Sequence, residues 1–445
     1  MRETHTVQAS IFDFYANSDR GAHLEQVSKI IDQHPELLDL VAKDLITDDI
    51  ADTGRKGLSI ESVFRCMLLK QMEQVSYEKL SFNLAEPGSY RAFVRLDKNC
   101  FPSKSALSTN IRKIKPETLE QVFEVLSVSI FNNGHLDAKV MRMDTTVVES
   151  NILEPLDSQL LNDGVRVISR LIAKSKEATG IKLRLKDYRS ESRSLSASIF
   201  YAKKPKKDQL YERLIPLALK VVKQCDKAVC QVNARGTRES KTQWIEKMLH
   251  YQNLLKHVID QTQRRVFNEE NVPATEKIVS IFEPHTDIIV KGERKTHYGH
   301  KINLSTEKNG FITALNIEKG NPKDSDCYTT LLDKFKKVYK CVPKTTISDG
   351  CFASEENVRN GKRLGVEQNV FHKKNGIKLS DMGIKEKTLK KLKDFRAGIE
   401  ANISELKRAF GLRIATWKGE SGFKSFVWAS AISYNLNRWA NLQLE

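Results

Sequence analysis

The chain has 445 residues, 40% of them apolar, enough to bury a large core and to divide into two or three domains. No stretch approaches the roughly 18 uninterrupted apolar residues of a membrane span; the longest candidate, Phe426 to Leu436, is interrupted by Ser430, Ser433 and Asn435. A net charge of +17 favours a polyanionic partner through Coulomb attraction and counterion release. The seven cysteines include no Cys-x-x-Cys pair, which argues against zinc and against a disulfide framework and fits a reducing cytoplasm. No basic head followed by an apolar run opens the sequence, so no signal peptide is expected.

Residues 1–139 read as helical. Ile60, Val63, Phe64, Met67 and Leu68 recur at helical spacing, and Pro102-Ser103 opens a second segment, Ser105 to Ile114, that carries Asn110, Arg112 and Lys113. Short helices separated by Gly88 and by the Asn99–Ser103 turn fit a helix-turn-helix and an all-helical packing domain equally well.

The period then changes. Val140 to Val148 alternates as a strand, with Asp144 and Thr146 on one face and Glu149 on the other. A long helical stretch, about 152–270, follows, with Leu161, Val165, Ile168 and Ile172 in amphipathic rhythm. Ile302 and Leu304 mark a further strand, Asn309-Gly310 a tight hairpin, and Phe311, Thr313, Leu315 and Ile317 the returning strand. Asp324 or Ser325 is expected to cap a helix bearing Leu331, Leu332, Phe335 and Val338. A β-branched run, Thr345 to Ile347, ends at Asp349-Gly350. This order predicts an α/β fold, a sheet covered by helices.

Three acids stand where such a fold builds sites. Asp349 closes a buried strand, although Asp-Gly is also a common turn. Asp144 lies on a strand face, where an ordinary exposed polar residue would also fit. Glu400 borders a helical stripe made of Phe395, Ile399, Ile403, Leu406 and Phe410, with Gly411 placed to end the helix. Arg396 and Lys407 share roughly its face, which suits a metal ligand beside a phosphate backbone and equally suits a surface salt bridge. Glu405 is about 140° around the helix from Glu400, so the two cannot serve one site. Converging carboxylates suit phosphodiester hydrolysis, because two divalent cations with oxygen ligands activate the attacking oxygen and stabilise the leaving one.

The chain resembles the DDE transposases of bacterial insertion sequences, in the branch filed as ISNCY. The resemblance runs through Met143-Asp144-Thr145-Thr146-Val147-Val148-Glu149-Ser150-Asn151-Ile152, the Asp157 to Val167 block, Ile281-Phe282-Glu283-Pro284-His285-Thr286-Asp287 and Tyr298-Gly299-His300-Lys301. It continues in Gly320-Asn321-Pro322-Lys323-Asp324-Ser325, Ser348-Asp349-Gly350, Phe395 to Leu412 and Trp417-Lys418-Gly419, and residues 56–120 look like the family's helical N-terminal region. One departure is Gly350-Cys351-Phe352 in place of the family's usual Gly-Phe-Tyr.

The resemblance implies an RNase H-like mixed sheet flanked by helices. It also implies a large all-α insertion at 152–275 within a catalytic domain 140–445, and an N-terminal DNA-binding domain at 1–139. It places the acidic ligands at Asp144, Asp349 and Glu400, holding two Mg²⁺ or Mn²⁺ ions. It implies nicking at transposon ends and transfer of the freed 3′-OH into target DNA, by a homodimer or larger assembly on double-stranded DNA. A catalytically silent transposase-derived DNA-binding protein and a plain RNase H-like nuclease are the competing readings.

Residues 182–207 hold nine Lys or Arg against two acids, and Lys203, Lys204, Lys206 and Lys207 are expected to contact phosphates, as are Arg112, Lys113, Arg396 and Lys407. Trp417, Trp428 and Trp439 fit a core better than a stacking platform, and His297 and His300 fit surface histidines better than phosphate contacts. No Gly-x-x-x-x-Gly-Lys-Ser/Thr loop or His-Glu-x-x-His motif is present, which argues against ATP use and zinc proteolysis. No histidine has an arginine three positions later, as a tyrosine recombinase would want. A cytoplasmic, nucleoid-associated location is expected, with no membrane contact.

Overall fold

Serine punctuates the first helices. Ser59, Ser76 and Ser103 each turn a side-chain oxygen onto the amide three residues on, satisfying a donor that a helix start leaves bare. The computed structural model describes residues 18–46, 57–86, 88–97, 99–291, 295–372 and 376–444. Seven helices come first: α1 (Asp19–Asp32), α2 (Glu36–Leu45), α3 (Ile60–Met72), α4 (Tyr77–Asn83), α5 (Ser89–Phe93), α6 (Lys104–Ile111) and α7 (Pro116–Asn132). Strand β1 (Val140–Ser150) follows, then α8 (Asp157–Ala173), α9 (Ser175–Thr179), α10 (Arg189–Tyr201), α11 (Lys206–Arg235) and α12 (Lys241–Val266). Strands β2 (Asp287–Lys291), β3 (Lys295–Thr306) and β4 (Ile312–Ile317) lead to α13 (Tyr328–Tyr339), β5 (Thr345–Ser348), α14 (Glu355–Leu364) and β6 (Gln368–Phe371). The chain then forms α15 (Glu386–Ala409), β7 (Ile414–Ala415) and α16 (Glu420–Leu444).

Two compact units result, one from residues 1–149 with 300–445 and one from 150–299. In the first, β4, β3, β1, β5 and β6 lie side by side in that order, with β7 added to β1. Strands β1, β5 and β6 run parallel, while β3 and β4 form an antiparallel hairpin. This is the mixed, helix-flanked sheet of an RNase H-like fold. Gly310 takes a φ of +81° in the hairpin turn, as the Asn-Gly pair predicts.

Helix α16 is apolar on every side, and Phe426 to Leu436 is buried throughout. It is a core helix, packed against α1, α3 and α7. One of its polar contacts reaches the sheet: Asn435 accepts from the Ile312 amide at 2.9 Å and donates to the Ile312 carbonyl at 2.9 Å, satisfying backbone of β4. No described helix is long and apolar enough to cross a membrane.

One expected cap is corrected. Asp324 and Ser325 lie in a 3₁₀ turn, Asp324–Cys327, and α13 begins only at Tyr328. The Asp324 carboxylate is taken up instead by the buried Lys301 ammonium at 3.0 Å, which draws it away from the helix amides.

In the second unit, α8 packs on α10, α11 and α12. Leu161, Val165 and Ile168 of α8 share a core with Val221 of α11 and with Leu255 and Ile259 of α12. A Cβ at position 164 would come within 2.7 Å of Leu255, so Gly164 permits that close approach. Strand β2 pairs antiparallel with Lys295–Gly299.

Candidate active site

The register of two parallel strands brings the first two acids together. Met143 of β1 stands opposite Ser348 of β5, so the next residues, Asp144 and Asp349, emerge side by side at strands spaced about 4.8 Å apart. Each carboxylate has one oxygen fixed locally: Asp144 Oδ1 accepts from the Thr145 amide at 2.7 Å and Asp349 Oδ1 from the Cys351 amide at 2.6 Å. The Asp-Gly turn and the site are therefore one arrangement, in which Oδ1 closes the turn and Oδ2 faces the Arg396 guanidinium.

The third acid arrives on α15, which lies against β5. Arg396 gathers all three. Its Nη2 is 3.3 Å from Asp144 Oδ2 and 3.8 Å from Asp349 Oδ2, and its Nη1 is 2.8 Å from Glu400 Oε1. Sharing one nitrogen limits the separation of the two aspartates to about the sum of their two distances. Side-chain exposure rises from 14% at Asp144 through 39% at Asp349 to 62% at Glu400, so the cluster opens to solvent along its helix side.

A second arginine sets the height of α15 over the sheet. Arg142, two residues before Asp144 and on the same strand face, is buried. Its guanidinium donates to Thr306 Oγ1 (3.2 Å), the Phe395 carbonyl (3.3 Å), Asn402 Oδ1 (3.2 Å) and the Glu307 carbonyl. It also lies over the Phe395 ring at 4.6 Å. A Cβ at position 398 would fall 1.8 Å from its Nη1, so only glycine admits this contact. The signal in the sequence is a charged residue inside an apolar strand, in step with Asp144, which reasoning from motifs passed over.

Three carboxylates against one guanidinium leave two negative charges in surplus, which is what oxygen-loving divalent cations neutralise. The donor set fits such ions. In the described conformation the acids face Arg396, and no three His, Cys, Asp or Glu side chains among the described residues form a ready cage.

The other expected residues scatter. Arg112 and Lys113 are exposed just past α6, with Arg112 donating to the Lys418 carbonyl at 3.3 Å. Lys203, Lys204 and Lys206 are exposed and Lys207 half-buried at the start of α11, in the second unit, where Lys204 pairs with Glu269 at 3.0 Å. Lys407 is half-buried on α15. Arg396 shares the face of Glu400, as its spacing predicts, but is only 8% exposed and turned inward to the acids. Glu405 turns away to Arg438 at 3.0 Å. Trp417, Trp428 and Trp439 are buried, and His300 is buried against the Phe423 ring.

Two family models match the chain. One, described as a transposase DDE domain, matches residues 259–436, and one, described as a transposase domain (DUF772), matches residues 12–113. The chain belongs to the DDE transposases of insertion sequences. No curated protein and no solved structure matches it. The transposase is thereby a DNA-binding protein of the nucleotidyl-transfer class, from a family that usually uses a divalent metal. The DDE match contains Asp349 and Glu400 but starts well after Asp144, whose place in the cluster rests on the strand register and on Arg396.

Proposed function

We propose that this transposase nicks transposon ends by metal-dependent hydrolysis and joins the freed 3′-OH to target DNA, using Asp144, Asp349 and Glu400. The observation that carries this reading is the meeting of all three acids on Arg396, although they come from β1, the end of β5 and α15. Two Mg²⁺ or Mn²⁺ ions held by these carboxylates would activate the attacking oxygen and stabilise charge on the leaving oxygen. Arg396 holds the three side chains together against their mutual repulsion. Arg142 and Gly398 hold α15, and with it Glu400, at contact distance from β1.

We assign end recognition to residues 1–139 and catalysis to 140–445, with the insertion 152–275 presenting the basic segment 182–207 to DNA. Pairing two transposon ends makes the working form a dimer or larger. A silent DNA-binding descendant is disfavoured by the gathering of three acids, which simple DNA binding does not need.

The test supplies duplexes carrying the terminal inverted repeats that flank the gene, with Mg²⁺, and looks for nicked and strand-transferred products. Asp144→Asn, Asp349→Asn and Glu400→Gln should each lower cleavage about 100-fold or more, equivalent to about 3 kcal/mol of lost charge stabilisation. End binding should persist. Normal cleavage by any one of these variants would remove that residue from the catalytic set.

A further inference from the structure

Away from the acids, the first unit holds a buried cation that no acid balances. Lys70, in the last turn of α3, is 5% exposed, and its ammonium meets two ring faces, Tyr77 at 4.8 Å and Trp417 at 5.6 Å. Among the described residues no carboxylate acts on it, and burial alone draws its pKa from 10.5 down to about 8. The same two rings carry buried polar atoms with no hydrogen-bond partner among the described residues, Tyr77 Oη and Trp417 Nε1. An unpaired buried charge and two orphaned donors are each unfavourable, and here they coincide.

Lys70 opens onto a cleft of about 440 Å³, lined also by Gln74, Ser76, Lys407, Arg413 and Thr416, with no acidic residue in its wall. The walls are fastened together: Gln71 Nε2 donates to the Phe410 carbonyl at 2.6 Å and Gln74 Nε2 to the Arg408 carbonyl at 2.7 Å. Arg112 stands close enough to act on the Tyr77 hydroxyl. Three cations, Lys70, Lys407 and Arg413, thus line a preformed hollow, and two orphaned donors lie behind it on the rings that Lys70 meets.

We propose that this cleft binds a backbone phosphodiester of the DNA strand being cut. Lys70 and Arg413 supply both charge and N–H donors from the wall of the cleft. Its spacing follows from α15. Lys407 lies seven residues beyond Glu400, about 10 Å along the helix axis, which equals about three nucleotide rises. The bound phosphate is therefore about three nucleotides from the scissile bond. The spacing, though not the anion site itself, rests on the catalytic reading of Glu400.

The test uses the full chain and a labelled duplex carrying the terminal inverted repeat. Lys70→Met and the surface variant Arg413→Gln should each weaken binding about 10-fold, and each should lower the slope of log affinity against log salt by about 0.9. A single neutral methylphosphonate walked along the strand should weaken the wild-type protein about three nucleotides from the cut, and should weaken Lys70→Met no further there. Wild-type affinity and slope in both variants would overturn the proposal. So would inorganic phosphate that raises the melting temperature of the wild type, but not of Lys70→Met, while DNA affinity stays unchanged; the cleft would then hold a free anion. The two readings fail separately. Full cleavage by Glu400→Gln would remove the catalytic assignment and leave the Lys70 affinity loss standing, whereas normal DNA binding by Lys70→Met in an enzyme that cuts removes only the cleft.

Discussion

Replacing Lys70 with methionine should make the protein more stable while weakening its grip on DNA. The fall of the folded-state pKa from 10.5 to about 8 corresponds to about 3 kcal/mol of penalty for carrying the charge in the fold. The ring contacts with Tyr77 and Trp417 return about 1–2 kcal/mol of it. A net gain of about 1–2 kcal/mol for Lys70→Met is expected at pH 7. The sign with pH follows from proton counting. Below pH 8 both folded and unfolded states hold the proton and the penalty is complete. Between pH 8 and 10.5 the unfolded chain binds the extra proton, so wild-type stability rises with pH and the advantage of methionine shrinks to nothing. Urea unfolding followed through Trp417, Trp428 and Trp439, all buried in this unit, reads the difference directly. A less stable Lys70→Met protein at pH 7, or a gain that stays constant up to pH 10.5, would refute the reasoning.

Gly398→Ala drives a methyl group into Arg142, so it should destabilise the protein by about 1–3 kcal/mol and depress cleavage at temperatures where the fold persists; thermal melts beside nicking rates check both. Arg396→Gln removes the cation that competes for the three carboxylates, and the DNA-free protein should bind Mn²⁺ more tightly by electron paramagnetic resonance; weaker binding would mean that the arginine helps to form the metal site. Arg65→Ala removes one of the two arginines that hold buried Glu61 and Asp32, while Arg95 stays at 2.6 Å from Glu61 and 2.5 Å from Asp32, and it should cost about 1–3 kcal/mol in denaturant titrations.

Much of the site was legible one strand at a time. Alternation from Val140 to Val148 located the strand that carries Asp144, and the β-branched run ending at Asp349-Gly350 located its neighbour. Their adjacency was not legible, because pairing between parallel strands some 200 residues apart is decided by tertiary packing, with no turn to set the register. The periodicity of α15 correctly put Glu400 at the edge of an apolar stripe and Glu405 elsewhere. It also put Arg396 on the face of Glu400, where the two pair at 2.8 Å, but not against Asp144 and Asp349, since a basic residue at the rim of a helix stripe reads the same whether it faces water or a cluster of acids. Lys70 left no trace at all: one lysine near the end of an apolar helix is ordinary until Tyr77 and Trp417, far apart in sequence, close over it. Asp324 was read as a cap because the buried cation that claims it, Lys301, comes from a different strand.

The placement of α16 has a consequence for how the protein is made. The helix that fills the space between α1, α3 and α7, and that holds the backbone of β4 through Asn435, leaves the ribosome after every element it supports. The early helices therefore wait, with their apolar faces unpaired, through the synthesis of the sheet and the whole inserted unit. A message cut short before Glu420 would yield a chain with its three acids present and its centre missing, suited to degradation rather than to breaking DNA.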